Sequence, residues 1–363
     1  MTHEHPVLLR RPCPLRGLPE RHLLLRLPLH RTHRRTARRP RRHHPRAGPR
    51  MSYTVIDPAP DTAHWLRMRK QGLGASDSAS VLGLSKWGTP LSVYLDKLSD
   101  SIDDTMSDRQ DWGHRLEEPI AQWVRDTKHL EVTGSPGLIK SEEFPWLLAT
   151  PDRKIVEGDV VVPLEIKSSD AFMKDAWGDG IPLNYQIQIQ QQILIMGAPH
   201  GYLVVLHGGN TPDFYRVPAD PEFHEQLIRL TREFWEGNIL AGVAPEPITL
   251  DDAALLWSGD PDVKVEGGEP LYDLWGAYGL MQAEAVEING KLDAVKLQLQ
   301  IAMQDAVELT HQGQTLFTWR PRKGTTRFDD KAFQNDHPDL YPKYLKTGAP
   351  TRTFLRKKAK DND

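Results

Sequence analysis

Residues 146–167, WLLATPDRKIVEGDVVVPLEIK, constrain the fold more than any other part of the chain. Two apolar runs, 146–150 and 160–167, flank a polar turn at Glu157-Gly158-Asp159, so the stretch predicts a β-hairpin. Side chains alternate across a strand, which sends Glu165 and Lys167 to one face and Leu164 and Ile166 to the other. Asp152 follows Pro151 where the first run stops, and a closed hairpin can bring it beside Glu165. Two carboxylates that close repel each other unless a cation lies between them, and an all-oxygen pair suits a hard divalent ion. Lys167 at the rim would then help to deprotonate a water or stabilise negative charge, a combination suited to metal-assisted phosphodiester hydrolysis. The same spacing also fits a strand that ends in a surface ion pair.

The formal net charge of −3 conceals three unlike segments. Residues 1–50 hold fourteen Arg, no Lys and two Glu, a net of about +12. The last segment, 311–363, carries about +6, which leaves about −21 in 51–310. A polyanion would therefore be held by local patches or metal ions and not by a general positive field. The leader is too interrupted by Arg for a secretory apolar region, and its Pro and Arg content predicts disorder. Ordinary composition starts at Met51, which is the expected initiator; a basic arm that binds nucleic acid is the alternative for the leader. The single cysteine, Cys13, lies in that leader, so the rest of the chain has no thiolate zinc site, disulfide or iron–sulfur cluster. The lack of targeting or membrane-spanning segments predicts a cytoplasmic protein with no membrane partner.

Residues 61–70 read as a short helix capped by Asp61, followed by the turn QGLGASDSASVLGL, where Ser76 or Asp77 caps a second helix through Leu82. Glycines before a helix N-terminus, with Arg69 nearby, suit a phosphate, and a plain capped helix is the alternative. Residues 89–98 form another short helix. In the amphipathic helix 112–129, Glu117 falls at the edge of the buried face set by Leu116, Ile120, Trp123 and Val124, while Glu118 points to solvent. Residues 182–197 form a buried helix with Tyr185, Gln188 and Gln192 on one polar stripe. A hairpin across Gly208-Gly209-Asn210, an amphipathic helix over 222–235 and Pro245-Glu246-Pro247 complete the domain. From Leu271 to Leu309 apolar residues fall three and four apart, which predicts a long helix or a helical hairpin broken at Asn289-Gly290. Such a seam suits self-association or packing against its own domain. The tail interleaves aromatic and basic residues, as in Trp319-Arg320 and Tyr341 to Lys346, a pattern suited to nucleic-acid contact or to a small β module with a solvated basic face.

Taken in order, these motifs resemble the YqaJ-type viral recombinase nucleases, relatives of lambda exonuclease within the PD-(D/E)XK superfamily. The resemblance rests on Arg69 and Ser76 in the GLGASDSASVLGLS segment, and on WGHRLEEPIA around Glu117. It continues through ATPD ending at Asp152, LEIK over residues 164–167, and YQIQIQ around Gln188, and it spans about residues 62–240. It implies an α/β (α+β) fold with a restriction-endonuclease-like core, a mixed β-sheet flanked by helices. Asp152, Glu165 and Glu117 are then the expected ligands of Mg²⁺, with Mn²⁺ as a substitute. Lys167 would stand beside the attacking water, Gln188 would be the active-site glutamine, and Arg69 and Ser76 would hold a terminal 5′ phosphate.

The expected organisation is a leader (1–50), a nuclease domain (51–247), a linker with the heptad segment (248–310) and a basic aromatic tail (311–363). The expected activity is that of a phage- or prophage-encoded exodeoxyribonuclease that degrades double-stranded DNA from 5′ ends during recombination. Partners would be duplex DNA ends, a single-strand annealing protein and further copies of the chain. The competing expectation is a catalytically idle end-binding or assembly protein with the same fold.

Overall fold

The computed structural model describes residues 53–57, 63–101, 107–178, 180–348 and 352–357. The leader, Met51 and the Asp61 cap lie outside the described residues. The chain divides into two compact units, Met1–Ala253 and Ala254–Asp363.

In the first unit β1 (Tyr53–Asp57) leads to α1 (Ala63–Arg69), a two-residue strand β2 (Leu73–Gly74), α2 (Ser78–Val81), α3 (Pro90–Leu98) and α4 (Asp108–Lys128). Capping boxes at Thr89 and Ser107 satisfy the free amides that open α3 and α4. The N-cap of α2 departs from expectation. Asp77 occupies it without a side-chain capping bond, because its carboxylate is taken by Gly74 N and Lys97 Nζ.

Next come β3 (Glu131–Thr133), β4 (Leu138–Ser141), β5 (Leu147–Ala149), β6 (Arg153–Glu157), β7 (Val160–Ser169) and, after a 3₁₀ turn, α5 (Leu183–Met196). The unit continues with β8 (His200–His207), β9 (Thr211–Pro218) and α6 (Pro221–Phe234) and ends within α7 (Leu250–Leu256). Two sheets result, mixed in strand direction and flanked by helices as expected. One runs β1-β4-β5-β2 and the other β3-β6-β7-β8-β9. In the second sheet β7 and β8 are parallel and the other pairs antiparallel.

The expected hairpin is corrected in one respect. Its turn lies at Gly158, whose φ of +62° suits glycine, but the strand that pairs with β7 is β6 and not residues 146–150. Those residues form β5 in the other sheet, paired with β4 and β2. Proline lacks the N–H that would continue a ladder, so Pro151 ends β5, and Asp152 sits where the chain changes sheets. The core runs through both sheets, with Ile155, Val162, Leu164, Ile187, Ile189, Ile193 and Val204 fully buried.

The second unit contains α8 (Glu269–Met303), a hairpin of β10 (Glu308–His311) and β11 (Gln314–Thr318), and α9 (Asp330–Asp336). The expected break at Asn289-Gly290 is absent, since α8 continues through it without a positive φ. A Glu287–Lys291 ion pair, four residues apart, spans the dipeptide. The apolar spacing also overran the helix: Leu309 belongs to β10. Among the described residues no helix is long and apolar enough to cross a membrane.

Candidate functional site

Arg69, Ser76, Glu117, Asp152, Glu165, Lys167 and Gln188 all line one cleft of about 280 Å³ in the first unit. The site is assembled from the end of α1, the β2–α2 turn, α4, the β5–β6 junction, β7 and α5.

Asp152 is fixed by its position between sheets: its Oδ2 accepts the Ile166 N–H at 2.6 Å, across to β7. Glu165, only 1 % exposed, is surrounded by donors. Its Oε1 accepts from Gln188 Nε2 and Lys167 Nζ, each at 2.5 Å, and its Oε2 accepts from Gln192 Nε2 at 2.6 Å. The polar stripe of α5 thus serves the buried carboxylate, while Tyr185 lies under the Lys167 ammonium, 5.4 Å from ring centre to Nζ. Gln192 Oε1 is buried with no partner among the described residues.

The electrostatics follow from this packing. Burial raises Asp152 well above the ordinary carboxylate range, and the neighbouring Glu165 and Glu117 push it further against the pull of Lys167. Burial alone would lower Lys167, but the Glu165 and Asp152 carboxylates overcome it and hold the ammonium above its usual range. The two carboxylates therefore hold Lys167 in its charged form.

Glu117 lies at the half-buried edge of α4, and burial pushes its carboxyl up against the pull of Arg153. Its Oε2 accepts from Arg153 Nη1 at 3.0 Å, so it faces an arginine. Glu118 is exposed as expected, and it is bracketed by Arg125 at 2.7 Å and Arg153 at 3.2 Å. Among the described residues no three His, Cys, Asp or Glu side chains are grouped closely enough to hold a metal ion. The expected trio of ligands is thus brought to one cleft without closing into a cage.

The donor set nonetheless suits a divalent cation at its inner pair. Asp152, half-buried, and Glu165, fully buried, are carboxylates in electrostatic conflict, the condition that a hard cation relieves.

At the other end of the cleft Arg69 Nη2 donates to Ser76 Oγ at 2.7 Å and to Asp77 Oδ1 at 3.2 Å. Asp77 also takes the buried Lys97 ammonium at 2.7 Å. Burial would raise the Asp77 carboxyl, but Lys97 and Arg69 outweigh it and lower it to about 2. Asp77 and Asp96 together face Arg69, Lys97 and Lys70, which leaves one net positive charge, and the cation that lines the cleft is Arg69. A Cβ at Gly74 would stand 3.2 Å from Asp77 Oδ2 and 3.3 Å from Arg69 Nε, so the glycine keeps this end open.

Residues 64–199 match the YqaJ-like viral recombinase domain. Over 293 residues the chain is 28 % identical to the uncharacterized protein YqaJ of Bacillus subtilis (strain 168), covering 78 % of this chain and 90 % of that protein. Among solved structures it is similar to an alkaline exonuclease from Laribacter hongkongensis. That similarity has 19 % identity and a TM-score of 0.42, over 50 % of this chain and 94 % of the other. It is also similar to a phage-related exonuclease from Haemophilus somnus 129PT, with 11 % identity and a TM-score of 0.34, over 47 % and 96 %. The YqaJ-like domain holds every residue of the expected site, from Arg69 to Gln188.

Three residues of the cleft and its wall escaped the sequence reading. Arg153 stands next to Asp152, but nothing in the sequence says that it would clamp Glu117 and Glu118. Lys97 is spaced like a surface lysine in α3, yet it is buried against Asp77. Gln191, fully buried, donates to Leu73 O and Leu148 O at 2.9 Å each and accepts from the Ser78 hydroxyl, which ties α5 to β2, β5 and α2.

Proposed function

We propose that the cleft hydrolyses phosphodiester bonds at the 5′ ends of duplex DNA, in a Mg²⁺-dependent exonuclease reaction that serves phage-type recombination. One observation carries this reading. The Arg69–Ser76 pair and the Asp152, Glu165 and Lys167 group line the same cleft, so a terminal phosphate and a scissile phosphate can be held together.

In this reading Asp152 and Glu165 would hold the Mg²⁺ or Mn²⁺, and Glu117 joins them only by releasing Arg153. The bound cation supplies positive charge to the phosphoryl group and acidifies water. Lys167, held in its charged form, faces the negative charge that grows on the phosphate oxygens. Gln188 and Gln192 hold Glu165 in one orientation through both of its oxygens. Arg69 and Ser76 offer a charge-assisted pair of donors to the 5′ phosphate.

The direct test compares digestion of 5′-phosphorylated and 5′-hydroxyl duplexes, with and without Mg²⁺. The proposal expects cleavage that needs the metal and favours the phosphorylated end. Arg69→Ala should erase the end preference while keeping metal-dependent cleavage, and equal rates on both ends in the unaltered protein would sink the pocket assignment.

A second reading, an end-binding protein without hydrolysis, is favoured by the engagement of all three carboxylates and the absence of a three-ligand group among the described residues. Binding of phosphorylated ends with no cleavage in Mg²⁺ or Mn²⁺ would establish it.

A further inference from the structure

α8 is 35 residues long, about 53 Å at the α-helical rise. Its apolar residues keep a strict heptad. Leu271, Tyr278, Ala285, Leu292 and Leu299 occupy the a positions, and Leu274, Met281, Ile288, Val295 and Ala302 the d positions. Seven of these large side chains are between 42 and 66 % exposed. Such a continuous apolar row is rare on a helix without a partner. The other exposed apolar residues of α8 (Tyr272, Leu280, Val286, Leu297 and Ile301) scatter over three heptad positions and form no second row. Residues 352–357 cross α8 near its start, where Arg356 stacks on Trp275 and Phe354 meets the edge of Tyr278. They touch the row at Tyr278, and beyond it Met281, Ile288, Leu292 and Val295 stay exposed.

We propose that α8 pairs with α8 of a second copy of this chain as an antiparallel two-stranded coiled coil. Size and charge both select this arrangement. An in-register parallel pair would stack Ala285 and Ala302 on themselves and leave voids, and would also stack Tyr278 on itself. The antiparallel pair sets large against small: Ala285 on the partner's Ile288, Leu271 on the partner's Ala302, and Tyr278 on the partner's Val295. The flanking charges agree. In the parallel pair Lys291, at g, faces the partner's Lys296, at e, with like charge. In the antiparallel pair Glu284 faces the partner's Lys291 and Lys291 faces the partner's Glu284, while on the other flank Asn289 meets the partner's Gln282. Lys291, which bonds Glu287 of its own helix, stays on the flank of the seam. This inference does not depend on the nuclease reading.

The test measures the concentration dependence of mass for the full chain by sedimentation, with circular dichroism to confirm folding. Lys291→Glu alone should weaken association on the order of tenfold, since two attractive pairs become repulsive. Glu284→Lys/Lys291→Glu should restore it. Equal helical content of the two variants by circular dichroism would separate pairing between helices from mere loss of helix stability. Ile288→Asp with Leu292→Asp should abolish the association. Tighter association of Lys291→Glu would overturn the proposal in favour of a parallel pair. A mass that none of these variants alters would overturn it outright.

Discussion

At Asp152 folding and the proposed chemistry pull in opposite directions. Its folded pKa lies above the unfolded value of about 3.9, so the unfolded state gives up its proton first and the fold is penalised as pH rises through that value. The penalty persists at neutral pH wherever no cation is bound. Asp152→Asn keeps an oxygen for the Ile166 N–H and removes the charge. It should therefore raise the thermal midpoint at pH 7–8 in chelator, and this gain should vanish below about pH 4. Mg²⁺ should stabilise the unaltered protein and not the variant, and cleavage should be lost. A variant no more stable than the parent would contradict the charge conflict. Asp77 has the opposite sign. Its pKa of about 2 means that the stability it contributes is present above its unfolded value and is lost as pH falls through about 2. Asp77→Asn leaves the buried Lys97 with only the more distant and exposed Asp96 as counter-charge, and should cost about 2–3 kcal/mol at neutral pH, read from urea unfolding. For Lys167, which is not a ligand, replacement by Ala should preserve Mg²⁺ binding measured by calorimetry while turnover falls by a factor of a hundred or more, about 3 kcal/mol in barrier.

Among the elements, α5 decides whether the site is built. Its sequence QIQIQQQ looks like a polar interruption in an apolar helix, yet every glutamine from Gln188 to Gln192 has a defined partner. Gln188 and Gln192 hold Glu165, Gln191 closes the β2 and β5 carbonyls, and Gln190 donates to Pro218 O and accepts from His224. Gln191→Leu should cost about 2–4 kcal/mol in thermal or urea unfolding, because two buried carbonyls and the Ser78 hydroxyl lose their partner together. A substitution at the exposed Glu225 of α6 should cost almost nothing in the same assay. The stripe of Gln188 and Gln192 was legible from helical spacing alone. That Leu147–Ala149 and Arg153–Glu157 belong to different sheets was not, since both are short runs beside the same turn and only the partner strands distinguish them.

For the whole molecule, charge sets the terms on which the proposed substrate would bind. Residues 51–310 carry a net of about −21, so a duplex would approach them against a general repulsion. Duplex affinity should therefore rise in Ca²⁺, which neutralises the cleft. Removal of residues 311–363, with a net of about +6, should weaken binding and flatten its dependence on salt. Filter binding across a salt series reads both effects, and an unaltered slope in the truncated chain would assign the tail another role.

The sequence by itself determined which residues could do chemistry. Strand alternation fixed Glu165 and Lys167 on one face, helical spacing fixed Glu117 and Gln188 on theirs, and the ordered motifs pointed to the YqaJ-like family. These are local periodicities, set by backbone geometry and read within a few residues. Only the tertiary structure decided what each residue faces. It put Asp152 at the junction of two sheets, turned Glu117 onto Arg153, buried Lys97 against Asp77 and ran α8 unbroken through Asn289-Gly290. Each of those outcomes depends on a partner tens of residues away in the chain or on the packing of a whole face. Pairwise electrostatics and burial act through space, and the order of residues along the chain does not encode those distances directly.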